Sequence, residues 1–145
     1  WDLVEKETHT LENYKKQVYD RLSYLTYAPI IFVSTVTGQR VDKLFEMINE
    51  VDKQNSQRVP TGLLNDVLAD AITITQPPSD KGKRLKVYYM TQVSTRPPTF
   101  VIFVNSKELM HFSYVRYIEN HLRKQFGFKG TPIHMIIRER KGDDK

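Results

Sequence analysis

Apolar side chains return at three- and four-residue steps along the stretch from Thr8 to Tyr24 and just beyond it. They are Leu11, Tyr14, Val18, Leu22 and Leu25, with Glu12, Lys15, Lys16, Asp20 and Arg21 between them. That period predicts an amphipathic helix. Pro29-Ile30-Ile31-Phe32-Val33 is apolar at every position, the pattern of a strand buried on both faces of a parallel sheet. A turn at Thr37-Gly38 follows, and Val41, Leu44, Phe45, Ile48 and Val51 trace a second helical face. The first third therefore reads helix, strand, helix. A strand apolar on both faces needs neighbours, and this part supplies none. Either it pairs with the C-terminal half, or its partners lie upstream of Trp1. The opening on Trp1-Asp2, with no methionine and directly before a helix, favours the second expectation.

Gln54-Asn55-Ser56-Gln57-Arg58 is polar and aperiodic, a short connection between two units. Pro60 and Thr61 then cap a helix with a stripe of Leu63, Leu64, Val67, Leu68 and Ala71. Gln76 to Arg84 reads as a loop. Leu85, Val87, Tyr89, Thr91 and Val93 alternate with Lys86, Tyr88, Met90 and Gln92, a strand with one wet face. After Pro97-Pro98 comes an apolar strand, Phe100 to Val104. A short helix near Lys107 to Phe112 and a longer one through Tyr114, Ile118, Leu122 and Phe126 follow, then a strand with Ile133, Met135 and Ile137 on one face. The second unit thus reads α-β-β-α-α-β, a three-stranded sheet with helices on one side.

At 145 residues and 17.1 kDa there is room for one ordinary domain or two small ones. Without cysteine there is no disulfide framework, thiolate metal site or cysteine nucleophile, and a reduced setting is the default. The longest apolar runs fall far short of the roughly 20 residues that span a bilayer, so no membrane partner is expected. Lys and Arg number 22 against 17 Asp and Glu, a net charge of +5 with a pI near 9.4, which favours polyanionic neighbours such as RNA.

Two strings carry candidate chemistry: Trp1-Asp2 before the first helix, and Ser34-Thr35-Val36-Thr37-Gly38 after the apolar strand. Read alone, they are a helix-capping aspartate and an ordinary turn. Their spacing across one helix and one strand resembles the last third of a Ras-like GTPase domain. There an Asn-Lys-x-Asp string ends one strand, a Ser-Ala loop ends the next, and both cradle a guanine base. The resemblance implies that Asp2 accepts hydrogen bonds from the guanine ring nitrogen and amine. It implies Ser34 and Thr35 as the Ser-Ala pair, with the Thr35 backbone N–H towards the guanine oxygen. Thr35 departs from the alanine of the motif, and the Asn-Lys pair is missing. A carboxylate left unpaired by adenine makes the wrong base expensive, discrimination that can reach about 10⁴.

The second half carries a denser set of strings. They are Val59-Pro60-Thr61, Gln76-Pro77-Pro78, Lys86-Val87-Tyr88-Tyr89, Thr91-Gln92, Arg96-Pro97-Pro98-Thr99-Phe100, Phe103-Val104-Asn105, Ser113-Tyr114, Arg116-Tyr117-Ile118-Glu119-Asn120 and Phe126-Gly127-Phe128-Lys129-Gly130-Thr131-Pro132-Ile133. Together they closely resemble the C-terminal end of the EngA (Der) family of bacterial double GTPases, over nearly the whole chain. The resemblance implies an α/β fragment, an incomplete Ras-like GTPase domain at 1–54, followed by an α+β KH-like domain at 57–140 and a frayed tail at 141–145. It implies a cytoplasmic GTP-binding protein in assembly of the large ribosomal subunit. Its partners would be rRNA, the ribosomal subunit and the upstream GTPase domains. GTP or GDP, with Mg, would belong to the intact protein and is not expected on this fragment.

Hydrolysis is not expected of these residues alone. A phosphate loop needs Gly-x-x-x-x-Gly-Lys-Ser/Thr, and the one Gly-Lys here, Gly82-Lys83, is followed by Arg84 and preceded by Pro77 where the first glycine belongs. Gly127-Phe128-Lys129-Gly130 matches the Gly-x-x-Gly clamp of RNA-binding KH modules, but falls after the last helix and reads as a helix stop. Lys81, Lys83, Arg84 and Lys86 are the candidate RNA contacts, with Arg138, Arg140 and Lys141 as a second cluster that would join them if the fold brings the two together. Tyr88, Tyr89, Tyr114 and Tyr117 are expected in a seam between the units. The four histidines show no metal-ligand spacing. A stand-alone RNA- or protein-binding module without a nucleotide role is the competing reading.

Overall fold

A computed structural model describes residues 1–7 and 9–140; Thr8 and 141–145, including the expected frayed tail and Lys141, lie outside the described residues. The first periodic stretch forms α1, Thr10–Arg21, and a single 3-10 turn follows at Ser23–Leu25. The second forms α2, Val41–Asn55. Gln54 and Asn55, assigned by polarity to a connection, are its last turn, because polar residues fit the end of a helix as well as they fit a loop.

The expected strand at residues 29–33 is corrected. The segment is extended but belongs to no ladder among the described residues, and the sheets are built without it. Pairing with the C-terminal half is thereby excluded. Neither α1 nor α2 contains a buried residue, and Phe45 and Ile48 of α2 stand 64% and 53% exposed. The apolar pattern of this third is intact, yet it encloses no buried hydrophobic core among the described residues.

The helix α3, Thr61–Ile74, starts on Pro60, whose backbone supplies the cap; Thr61 is already helical and makes no side-chain cap. Proline's fixed φ suits that entry. Leu64, Val67, Leu68 and Ala71 face inward, while Leu63 faces solvent, since adjacent helical positions point about 100° apart. The expected loop from Gln76 to Arg84 contains a small exposed hairpin, β1 (Ser79–Asp80) with β2 (Lys83–Arg84), turned by Lys81 and Gly82 at φ +49° and +78°.

β3 (Val87–Ser94) pairs antiparallel with β4 (Thr99–Val104), and β4 pairs in parallel with β5 (His134–Glu139). Strict alternation put Tyr89, Thr91 and Val93 on the dry face with Leu85 and Val87. A register shift between Val87 and Tyr89 reverses the parity, so Met90 and Gln92 are buried and Tyr89 faces out. One extra residue in a strand does this. The short helix expected near Lys107 is a turn closed by Met110 N–H on Lys107 O at 3.0 Å, so the order is α-β-β-α-β with an added hairpin. A single turn makes too few hydrogen bonds to hold a helix, and burial of Leu109 and Met110 fixes it instead.

Tyr114, Ile118 and Leu122 line the inner face of α4, Phe112–Phe126, which stops at Gly127 with φ +88° and its N–H on Arg123 O at 2.9 Å, as the sequence led us to expect of a helix stop. The core runs from Val59 to Ile133 and joins α3 and α4 to one face of the sheet. Each fully buried Leu, Ile or Phe in it contributes about 1.5–3 kcal/mol of transfer free energy. All of that core belongs to the second unit.

Candidate functional site

The two ends of the first unit meet. Ser34 Oγ donates to Asp2 Oδ1 across 32 residues, Thr37 N–H donates to Ser34 Oγ at 3.2 Å, and Ser34 N–H donates to Gln39 O at 3.1 Å. The Trp1 nitrogen donates to Val33 O at 3.1 Å, and the Trp1 ring lies on Phe32 at 4.6 Å. Segment 29–33 therefore delivers Ser34 to Asp2 by side-chain and backbone contacts, with no ladder among the described residues. Ser34 is 2% exposed, while Asp2 opens to solvent. The Ser34 hydroxyl holds the Asp2 carboxyl below its ordinary pKa, against the opposing pull of desolvation. Thr35 lies exposed in the turn, and its N–H makes no hydrogen bond among the described residues. The site thus offers a carboxylate acceptor and a backbone donor side by side, a set matching a heterocycle with N–H donors next to a carbonyl.

The basic residues come together at one end of the sheet. Val87, Val104 and Glu139 form one cross-strand row, and the next row out is tied by Asn105. Lys86 N–H donates to Asn105 Oδ1 at 2.8 Å, Asn105 N–H to Lys86 O at 3.1 Å, Asn105 Nδ2 to Arg84 O at 3.0 Å, and Arg140 N–H to Val104 O at 2.8 Å. Lys81 sits at the hairpin tip, Lys83 and Arg84 on its return strand, Lys86 before β3, and Arg138 and Arg140 at the end of β5. Arg84 and Lys86 are thus tied through Asn105 to the strand end that carries Arg140, about fifty residues on, and none of these basic side chains is in an ion pair among the described residues.

The tyrosines are not the seam between the units. Tyr114 Oη donates to Thr75 O at 2.8 Å and Tyr117 Oη to Ala71 O at 2.6 Å, fixing α4 on α3. Burial pushes the Tyr114 phenol up to about 12. The seam includes Gly130 N–H on Tyr27 O at 3.2 Å, Thr131 Oγ1 on Asn55 Oδ1 at 2.7 Å and Arg96 N–H on Asn55 O at 2.9 Å, with the Lys129–Glu50 and Arg96–Asp52 ion pairs at 3.5 and 3.9 Å and Arg123 over the Tyr27 ring at 4.9 Å. These contacts are long-range pairings that carry no periodic signal. A Cβ on Gly130 would lie 2.6 Å from Val51 Cγ2. The Gly-x-x-Gly string is therefore packed against α2, not held open as a clamp.

A three-stranded mixed sheet with helices packed on one face is consistent with a KH-like α+β module. Residues 58–138 match the family described as KH-domain-like of EngA bacterial GTPase enzymes, C-terminal, and the chain belongs to that family. It is 56% identical over 144 residues to the GTPase Der of Alkaliphilus oremlandii, covering 99% of this chain and 33% of that protein. It is 58% identical over 140 residues to the GTPase Der of Acetivibrio thermocellus, covering 97% and 32%. To the GTPase Der of Streptococcus pneumoniae strain Hungary19A-6 it is 57% identical over 141 residues, covering 97% and 32%. The chain spans about one third of the length of these relatives. No described helix is long and apolar enough to cross a membrane.

Proposed function

We propose that residues 1–54 are the C-terminal remnant of a Ras-like GTPase domain and 57–140 a KH-like domain that works with it in a cytoplasmic ribosome-assembly GTPase. The observation that carries this reading is the Asp2–Ser34 hydrogen bond, in a unit with no core of its own. In the intact protein Asp2 would accept from the guanine ring nitrogen and amine, and Thr35 N–H would donate to its oxygen. The free Asp2 edge and unpaired Thr35 N–H support that donor set. The exposed apolar groove lined by Pro29, Ile31, Leu44, Met47, Ile48 and Val51 supports missing strands beside segment 29–33. The 145-residue chain alone supplies no phosphate loop and is proposed to bind GTP or GDP weakly and hydrolyse neither.

Sequencing the gene upstream of Trp1 tests the first part: Asn-Lys is expected immediately before it, with a phosphate loop earlier, and a start codon in their place refutes it. GTP turnover by the 145-residue chain would refute the assignment of hydrolysis to upstream residues. The KH-like domain is proposed to contact rRNA of the large subunit through Lys81, Lys83, Arg84 and Lys86, with Arg138 and Arg140 beside them. Each phosphate contact adds about 0.7–0.9 to the slope of log affinity against log salt, so neutralising this cluster should weaken binding to large-subunit particles and flatten that slope.

A further inference from the structure

We propose that the open face of the β3-β4-β5 sheet is a stacking platform for the bases of single-stranded RNA, centred on Tyr89 and Phe103 and rimmed by Arg138 and Arg140. The inference rests on the rRNA contact proposed for this end of the sheet, and adds what form of RNA it takes and which residues read it.

The bulge after Val87 carries the argument. By turning Tyr89 out, it places Tyr89, Phe103 and Arg138 in one cross-strand row on the face opposite the helices. The two rings stack at 4.4 Å with 20° between their planes, and Tyr88 and Tyr89 remain 39% and 37% exposed. The next row is Thr91, Val101 and Ile136. Neither row contains a carboxylate. Glu139 belongs to the opposite parity and accepts Lys107 N–H at 2.8 Å.

Arg140 lies 5.8 Å from the Tyr88 ring and 6.0 Å from the Tyr89 ring, the outer reach of a cation–π contact. A guanidinium shared so loosely between two rings can move to a phosphate and leave the Tyr89 ring to a base. Flat rings accept any base by its π-face, and unopposed cations hold the backbone between them. A duplex hides its base faces and meets only the cations. The absence of acidic groups from these rows favours a polyanion over a basic partner. An acidic protein surface would use the cations and leave the ring faces unread.

The test is fluorescence anisotropy of a labelled short oligouridylate, single-stranded and as a duplex with oligoadenylate, titrated with the full 145-residue chain. The single strand is expected to bind more tightly than the duplex. Tyr89→Leu should weaken the single strand by about tenfold and the duplex hardly at all, while Tyr89→Phe, which keeps the ring, should retain the affinity. The Tyr89→Phe variant separates lost stacking from lost folding, and a thermal melt of each variant checks the sheet. Lys83→Gln with Lys86→Gln should weaken both forms alike. If Tyr89→Leu leaves single-strand binding unchanged while the lysine variants weaken it, the stacking platform is refuted and the phosphate contacts stand. Equal binding of duplex and single strand refutes it in the same way. No binding of either form refutes the RNA reading of this surface together with the platform.

Discussion

Gly130→Ala is the sharpest probe of how the two units hold together. Gly130 sits at φ +76°, and an alanine Cβ there would lie 2.6 Å from Val51 Cγ2 and 3.2 Å from both Val51 Cγ1 and Pro29 Cδ. The left-handed backbone costs alanine about 1–2 kcal/mol. The overlap adds about 1–3 kcal/mol, because Val51 is held in α2 and Pro29 in the chain that leads to Ser34. The sum, about 2–5 kcal/mol, falls on the seam and leaves the core of α3, α4 and the sheet untouched. Hydrogen exchange should therefore speed up first at the amide of position 130, which is bonded to Tyr27 O at 3.2 Å, and in α2, before the sheet amides change. Val51→Ala removes the two methyls that collide. The double variant should then be less destabilised than the sum of the singles by about 1–3 kcal/mol in urea unfolding, leaving the backbone cost and the Pro29 contact. Additivity of the two, or a Gly130→Ala variant as stable as the parent, would refute the close approach.

Ile118→Ala, at a fully buried site facing α3 and the sheet, should cost about 2–5 kcal/mol in urea unfolding. Tyr117→Phe should cost about 1 kcal/mol through the lost bond to Ala71 O. Tyr114 titrates near 12 when folded and at 10.0 as a free phenol, so its contribution to stability is full below pH 10.0 and is lost as pH rises towards 12. Urea midpoints across that window should fall less in Tyr114→Phe than in the parent. The Asp2 carboxyl is held low when folded, so whatever the Ser34 bond contributes is present above the ordinary carboxylate pKa of 3.8 and lost as pH falls through the lower folded value. NMR titration of Asp2 should show its pKa return upwards in Ser34→Ala.

Periodic elements were legible because their signal is local. Leu64, Val67, Leu68 and Ala71, and Tyr114, Ile118 and Leu122, declare a helix face by spacing alone, and Ile133, Met135 and Ile137 a strand face. The parity of β3 was not legible. Tyr88 and Tyr89 look like any alternating pair until a bulge turns one outwards, and the bulge follows from pairing with β4. The same holds for the short helix expected near Lys107 to Phe112, where burial of Leu109 and Met110 made a turn. Asp2 and Ser34 could be named from sequence because a known motif spaces them, and the structure brings them into contact. Asn55, Arg96 and Thr131 could not, since the seam joins residues 40 or more apart in sequence through backbone bonds and pairs of polar and charged side chains that no local period announces.

Segment 29–33 shows why the first unit depends on its surroundings. An apolar strand ordinarily takes its register from a ladder, and this one is positioned only at its ends. At one end Pro29 and Tyr27 meet Gly130, and at the other Val33 and Phe32 meet Trp1. Neither contact satisfies the row of N–H and C=O groups between them, and α1 and α2 bury no residue that could compensate. The stabilising core lies wholly beyond residue 58, so order in segment 29–33 is borrowed through the seam. A loosened seam then reaches towards Ser34 through the four residues 30–33, which the Trp1 contacts to Phe32 and Val33 hold at the far end.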